Sequence, residues 1–199
     1  SEFTWQDFQN RVNSELGNDL GNFVKRVSDL LHKFYDGVVP SVNGYNDSVS
    51  NKSSKNTGLF IDASAVSFET QRRVILINEK ISEFKFRDAL FEVMQLAAYG
   101  NKYLQDNEPW KLIKSDELKV EQIMYSSAQI VCAIAHILEP LLPNTAKKIK
   151  FIFNITGDEI TEGTKINPSE ILFPKIEDEQ VQTQIEKLNK SKAQQTAQV

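Results

Sequence analysis

The chain of 199 residues predicts an all-α fold, a helical bundle, on three observations. Apolar residues recur at spacings of three and four over long stretches, no hairpin signal interrupts them, and prolines fall between the periodic runs. Hydrophobic residues make up 40% and charged residues 25%, with only 8 glycines and 6 prolines, the balance of a globular domain long enough to bury a core. Collagen-like and wholly disordered chains are excluded.

The first helix is expected over 3–35, where Phe8, Val12, Leu16, Leu20, Phe23, Val27, Leu30 and Phe34 mark one core face. Gly37 and Pro40 end it, and the stretch SVNGYNDSVSNKSSKNTG, rich in Ser, Asn and Gly, reads as a surface loop. Helices follow at 68–83 and 86–106, the second with an apolar stripe of Phe86, Leu90, Val93, Ala97 and Leu104 and with Pro109 at its end. The run RVILI inside the first of these also suits a short buried strand, and its helical surroundings favour helix. Another helix spans 118–138, burying Ile123, Ile130, Ile134 and Ile137, before Pro140 and Pro143 break the chain. A short helix at 144–153 precedes a polar, turn-rich region. From Glu177 the chain is rich in Gln, Lys and Glu, which predicts a helix fraying into a linker. The expected division is a domain over 1–176 and a polar extension over 177–199.

Composition bounds the chemistry. No apolar run approaches the roughly 18 to 20 residues of a membrane helix, and no signal-peptide pattern opens the chain, so a soluble, cytoplasmic protein is expected. The single cysteine, Cys132, sits in the apolar run QIVCAIAHIL as a small hydrophobe and suits a reducing compartment. His32 and His136 lie far apart with no cysteine pair near either, so no metal site is expected. Phosphate-loop, HExxH, GxSxG and CxxC motifs are all missing, and scattered helix carboxylates are ordinarily solvated faces, so no catalytic residue is expected. Net charge is −4, which taken alone argues against nucleic acid. The charge is unevenly placed: residues 1–154 carry 18 basic and 19 acidic side chains, whereas 155–199 carry 5 and 8.

Three features remain as candidates for binding. Asn10, Ser14, Gly17, Gly21 and Ser28 form a stripe of small or amide side chains beside the core face of the first helix. Helix-interior glycines cost roughly 1 kcal/mol each relative to alanine, so either another helix packs closely there or a ligand approaches. Between stripe and core lie Asn22 and Arg26, four apart and therefore neighbours; such a pair reads base edges or stands as a solvated polar edge. Finally, Pro109 stops a helix and Trp110 follows, either capping the core or standing exposed as a stacking platform.

The segments RVNSELGNDLGNFVKRV, FRDALFEVMQLAAYGNKYLQDNEPWKL, ILEPLLPNTAKKI and ILFPKIE, in this order, resemble the helical anticodon-binding domain of methionyl-tRNA synthetase. The resemblance covers residues 3 to about 178, and LGN-x3-R combined with N-x-Y-x5-PW is its most specific part. It implies a helical bundle of the class I aminoacyl-tRNA synthetase anticodon-binding type, with the anticodon loop of tRNA, CAU, as partner. It implies that Trp110 after Pro109 stacks on an anticodon base and that Asn22 and Arg26 contact the anticodon. The HIGH and KMSKS signatures of the family's catalytic domain are missing, so the resemblance implies a C-terminal fragment. ATP and zinc then belong to the parent enzyme's catalytic domain, and no cofactor to this part. Two alternatives stand beside it: the equivalent domain of another class I synthetase, and a helical protein-interaction module with Trp110 in its core.

Overall fold

The computed structural model describes residues 3–41 and 63–196, so most of the expected surface loop lies outside the described residues. From Trp5 to Tyr35 the chain is helical without a break but not uniformly α. Helix α1 (Trp5–Arg11) passes into a π-helical segment, π1 (Val12–Gly21), and then into α2 (Asn22–Tyr35). Thr4 caps the start, its hydroxyl accepting from the Asp7 amide at 3.1 Å. From Phe8 to Leu20 the apolar spacing stays at four, without the threes that follow, a pattern that a wider turn with bonds from i to i+5 accommodates.

One expectation is corrected: the eight predicted core positions are not all buried, because α1 packs mainly against the last helix (Asp178–Thr196), away from the core helices. Leu20, Phe23 and Val27 are wholly buried, but Phe8 is 43% exposed. Phe8 instead joins Phe3 and Trp5 in a surface aromatic cluster with ring centroids 5.1–6.1 Å apart. Helix α2 closes at Asp36 and Gly37, both left-handed, and a Cβ on Gly37 would lie 2.6 Å from the His32 ring, so glycine is required there.

Helices α3 (Ala63–Ser82) and α4 (Phe86–Asn107) form a hairpin, and RVILI lies within α3 as helix. The expected stripe of α4 holds for Val93, Ala97 and Leu104, each fully buried, but not for Phe86, which is 49% exposed. Phe86 sits at the hairpin tip, edge-on to the exposed Phe84, before α4 reaches the core. A four-residue helix, α5 (Pro109–Leu112), leads to α6 (Glu117–Ile137), α7 (Pro143–Ile152) and α8 (Asp178–Thr196). Helix α6 is the axis of the bundle, packed by α2, α3, α4, α5 and α7, and its Ile123, Ile130, Ile134 and Ile137 are buried as expected. Asp116 caps it, accepting from the Lys119 amide. Among the described residues there is no β-strand, only an isolated bridge between Val38 and Lys165, and no helix is long and apolar enough to cross a membrane.

Two contacts fix where the first helix meets the rest. The ring of Phe23 in α2 is fully buried, worth roughly 1.5–3 kcal/mol, and lies against Gly100 of α4, where a Cβ would come within 2.3 Å of it. Only glycine lets α2 and α4 approach so closely. At the other end, Gln9 donates to the Ile176 carbonyl at 3.0 Å and to Asp178 at 2.8 Å. Asn13 exchanges two 2.9 Å bonds with the Ile176 backbone. Val181 of α8 is buried, so the first turns of the polar extension pack on the bundle.

Candidate nucleic-acid interface

The Gly100–Phe23 contact has a polar consequence at the next residue. Asn101 lies over the first helix, where its Nδ2 donates to the Asp19 carbonyl at 2.9 Å. Its Oδ1 accepts from Asn22 Nδ2 at 3.3 Å and from Arg26 Nη1 at 3.2 Å. Seven residues further, α4 ends on Glu108, a non-glycine in the left-handed region with φ 43°, whose amide donates back to Leu104. That turn, with Pro109 buried at the first position of α5, carries Trp110 back across α2. The Arg26 guanidinium stands 5.7 Å from the Trp110 ring centroid, a cation–π contact.

Asn22, Arg26, Asn101 and Trp110 thus form one corner, built by α2, α4 and α5. Trp110 is half-buried, neither core nor free, and Asn22 is exposed. Burial lowers the proton affinity of Arg26, which remains charged as arginines do. Its neighbours are neutralised: Lys25 pairs with Asp29, Lys102 with Asp106 and Lys111 with Glu108. Among the described residues Arg26 has no carboxylate partner, only an amide oxygen and a ring face. The corner therefore offers one partly desolvated cation, an amide and an aromatic surface.

The small-residue stripe does not form one docking surface. A Cβ on Gly21 would lie 3.3 Å from the ring of Phe173, so the close neighbour is a segment before α8 and not another helix. Ser28 is fully buried, and Ser14 donates to its own helix at Asn10. A groove of about 540 Å³ beside Asn22 is lined by Gly17, Asn18, Lys25 and Phe173. A second groove, about 550 Å³, lies between α3 and α6 and includes Val66, Val74, Tyr125, Asp158 and Glu159 but, among the described residues, no cationic one, an unfavourable setting for a polyanion. Asn101 was given no separate role from the sequence, although it is the asparagine of N-x-Y-x5-PW. The available signal was a polar residue directly after a helix-interior glycine.

Solved structures share this arrangement of helices. The apo methionyl-tRNA synthetase of Mycobacterium tuberculosis overlays with a TM-score of 0.71 at 24% identity, covering 88% of this chain and 35% of that one. The same enzyme in complex with methionyl-adenylate overlays at 0.66 with 26% identity, over 85% and 33% of the two chains. Residues 1–28 match the family model described as tRNA synthetases class I (M).

Residues 60–193 match the family model described as the anticodon binding domain of methionyl tRNA ligase, and the chain belongs to that family. Among curated relatives, a methionine–tRNA ligase of Flavobacterium psychrophilum is 39% identical and one of Methanobrevibacter smithii 36% identical. Each match covers 96% of this chain, which spans only 28% of either relative. Asn22 and Arg26 fall in the segment matched by the first family, and Asn101, Pro109 and Trp110 in the second.

Proposed function

We propose that this domain reads the anticodon loop of a tRNA, CAU, within an ATP-dependent methionine–tRNA ligase of the cytoplasm. A base stacks on Trp110, and Asn22 and Arg26 contact base edges. The observation that carries the reading is the Arg26 guanidinium, held over Trp110 and tied to a neutral amide, with no carboxylate pair among the described residues. A buried-side cation left without a counter-charge is a site for a ligand rather than a stabilising ion pair. Unstacked loop bases are read in this way, by aromatic stacking and hydrogen bonds to their edges. Pro109 positions the ring and is itself buried. The near-balance of charge over 1–154 fits a domain that checks bases while other parts of a larger enzyme grip phosphates. In this reading ATP and zinc belong to the catalytic domain, and no cofactor to this one.

The test is a titration of the chain with an RNA stem-loop bearing CAU and with loops bearing other anticodons, at two salt concentrations. Preference for CAU that survives the higher salt supports base reading by a methionine-specific domain. Equal affinity for every loop contradicts it, and preference for a different anticodon assigns the domain to another class I synthetase.

A further inference from the structure

We infer that Asn101 is a positioning residue. By orienting the Asn22 amide and anchoring Arg26, it makes the corner select a base that carries an exocyclic amine where uracil and guanine carry a carbonyl. This rests on the reading that the corner meets an anticodon base.

The orientation of Asn101 is fixed twice over. The Asp19 carbonyl can only accept, so the group facing it at 2.9 Å is Nδ2. A guanidinium can only donate, so the group facing Arg26 at 3.2 Å is Oδ1. Both constraints turn the same oxygen toward α2, and that oxygen also faces Asn22 at 3.3 Å. Asn22 must therefore present Nδ2 to it, because the flipped amide would set oxygen against oxygen. The consequence lies on the exposed side: Asn22 Oδ1 is left as an acceptor, beside the remaining N–H donors of Arg26. An acceptor next to donors complements an amine next to a ring nitrogen, the Watson–Crick edge of cytosine or adenine. Uracil and guanine carry a carbonyl in place of the amine and a protonated ring nitrogen, reversing both contacts. Neither Asn22 nor Arg26 specifies this polarity alone, since an isolated asparagine rotates to suit either edge.

The experiment titrates the 199-residue chain with the CAU stem-loop and with two loops changed from amino to keto, one C to U and one A to G. Wild type is expected to penalise one of these on the order of tenfold. In Asn101→Ala the Asn22 amide is free to flip, and the penalty should fall to roughly threefold or less. A purely structural role would lower affinity for all loops together and leave the ratio unchanged. A wild-type penalty absent at both positions, or an unchanged ratio in Asn101→Ala, overturns the inference. Trp110→Ala separates it from the reading beneath: if Trp110→Ala weakens binding while Asn101→Ala keeps the full ratio, only the role of Asn101 is wrong. If Trp110→Ala changes nothing, the placement of the RNA fails first.

Discussion

Two polar clusters border the core, and they are closed in opposite ways. On α6, Gln129 donates to the Ile160 carbonyl at 2.6 Å, the Cys132 thiol donates to the Asp158 carbonyl, and His136 Nδ1 donates to the Cys132 carbonyl at 2.9 Å. Each of these groups bonds to the chain's own backbone, and two of them hold the segment that follows α7 against α6. At the α2–α4–α5 corner, Asn22, Arg26 and Asn101 bond mainly to one another and keep donors and an acceptor directed outward. A cluster completed by backbone is a clamp. One completed only in part, with a guanidinium that has no carboxylate partner among the described residues lying over a half-buried tryptophan, has bonding capacity left for a ligand.

The comparison breaks if the corner proves as structural as the clamp. Trp110→Ala is the strongest probe: losing a stacked base should weaken stem-loop binding by about 1–3 kcal/mol, roughly 5- to 150-fold, while the thermal midpoint moves little. Gly100→Ala tests the scaffold beneath the corner. Its methyl would press into the buried Phe23 ring, and about 1–3 kcal/mol of overpacking exceeds the roughly 1 kcal/mol gained in helix propensity. Both the melting temperature and RNA affinity should fall, since α4 carries Asn101 away from α2. An unchanged melt would show that the close approach is not required.

Why Gly100 matters was not legible in the sequence, and the reason is physical. Periodicity reports which face of a helix is buried, not how near the neighbouring helix comes. Thus the extent of α3, α4, α6 and α7 followed from apolar spacing and proline positions to within a few residues, five for the start of α3. Trp110 and the Asn22–Arg26 pair stood out because an aromatic after a helix-stopping proline and two polar residues four apart are local patterns. Asn101 joins them only through a contact between residues far apart in sequence. The exposure of Phe8 was hidden for a related reason: its spacing fits the core face, but α1 packs mainly on α8, away from the core helices.

The clamp supplies smaller, complementary effects. Gln129→Ala should cost about 1 kcal/mol, lowering the thermal midpoint by roughly 2–4 °C, with stem-loop affinity unchanged. Any loss of RNA binding in that variant would blur the two clusters. Burial pushes the Cys132 thiol up to about 11. The native state therefore favours the protonated thiol, a contribution present below the ordinary thiol value and lost as pH rises toward 11. Melts recorded from pH 8 to 11 should show a slightly smaller decline for Cys132→Ala than for wild type; parallel curves would contradict a buried, unreactive thiol.

The most direct measurement is a map of side-chain N–H resonances as the CAU stem-loop is added to the labelled chain. The Trp110 indole and the Asn22 and Asn101 amides should shift to saturation together, with the Gln129 amide unmoved. Shifts centred on Gln129 and the α3–α6 groove, with the Trp110 indole unchanged, would contradict the assignment of the corner as the RNA-reading surface.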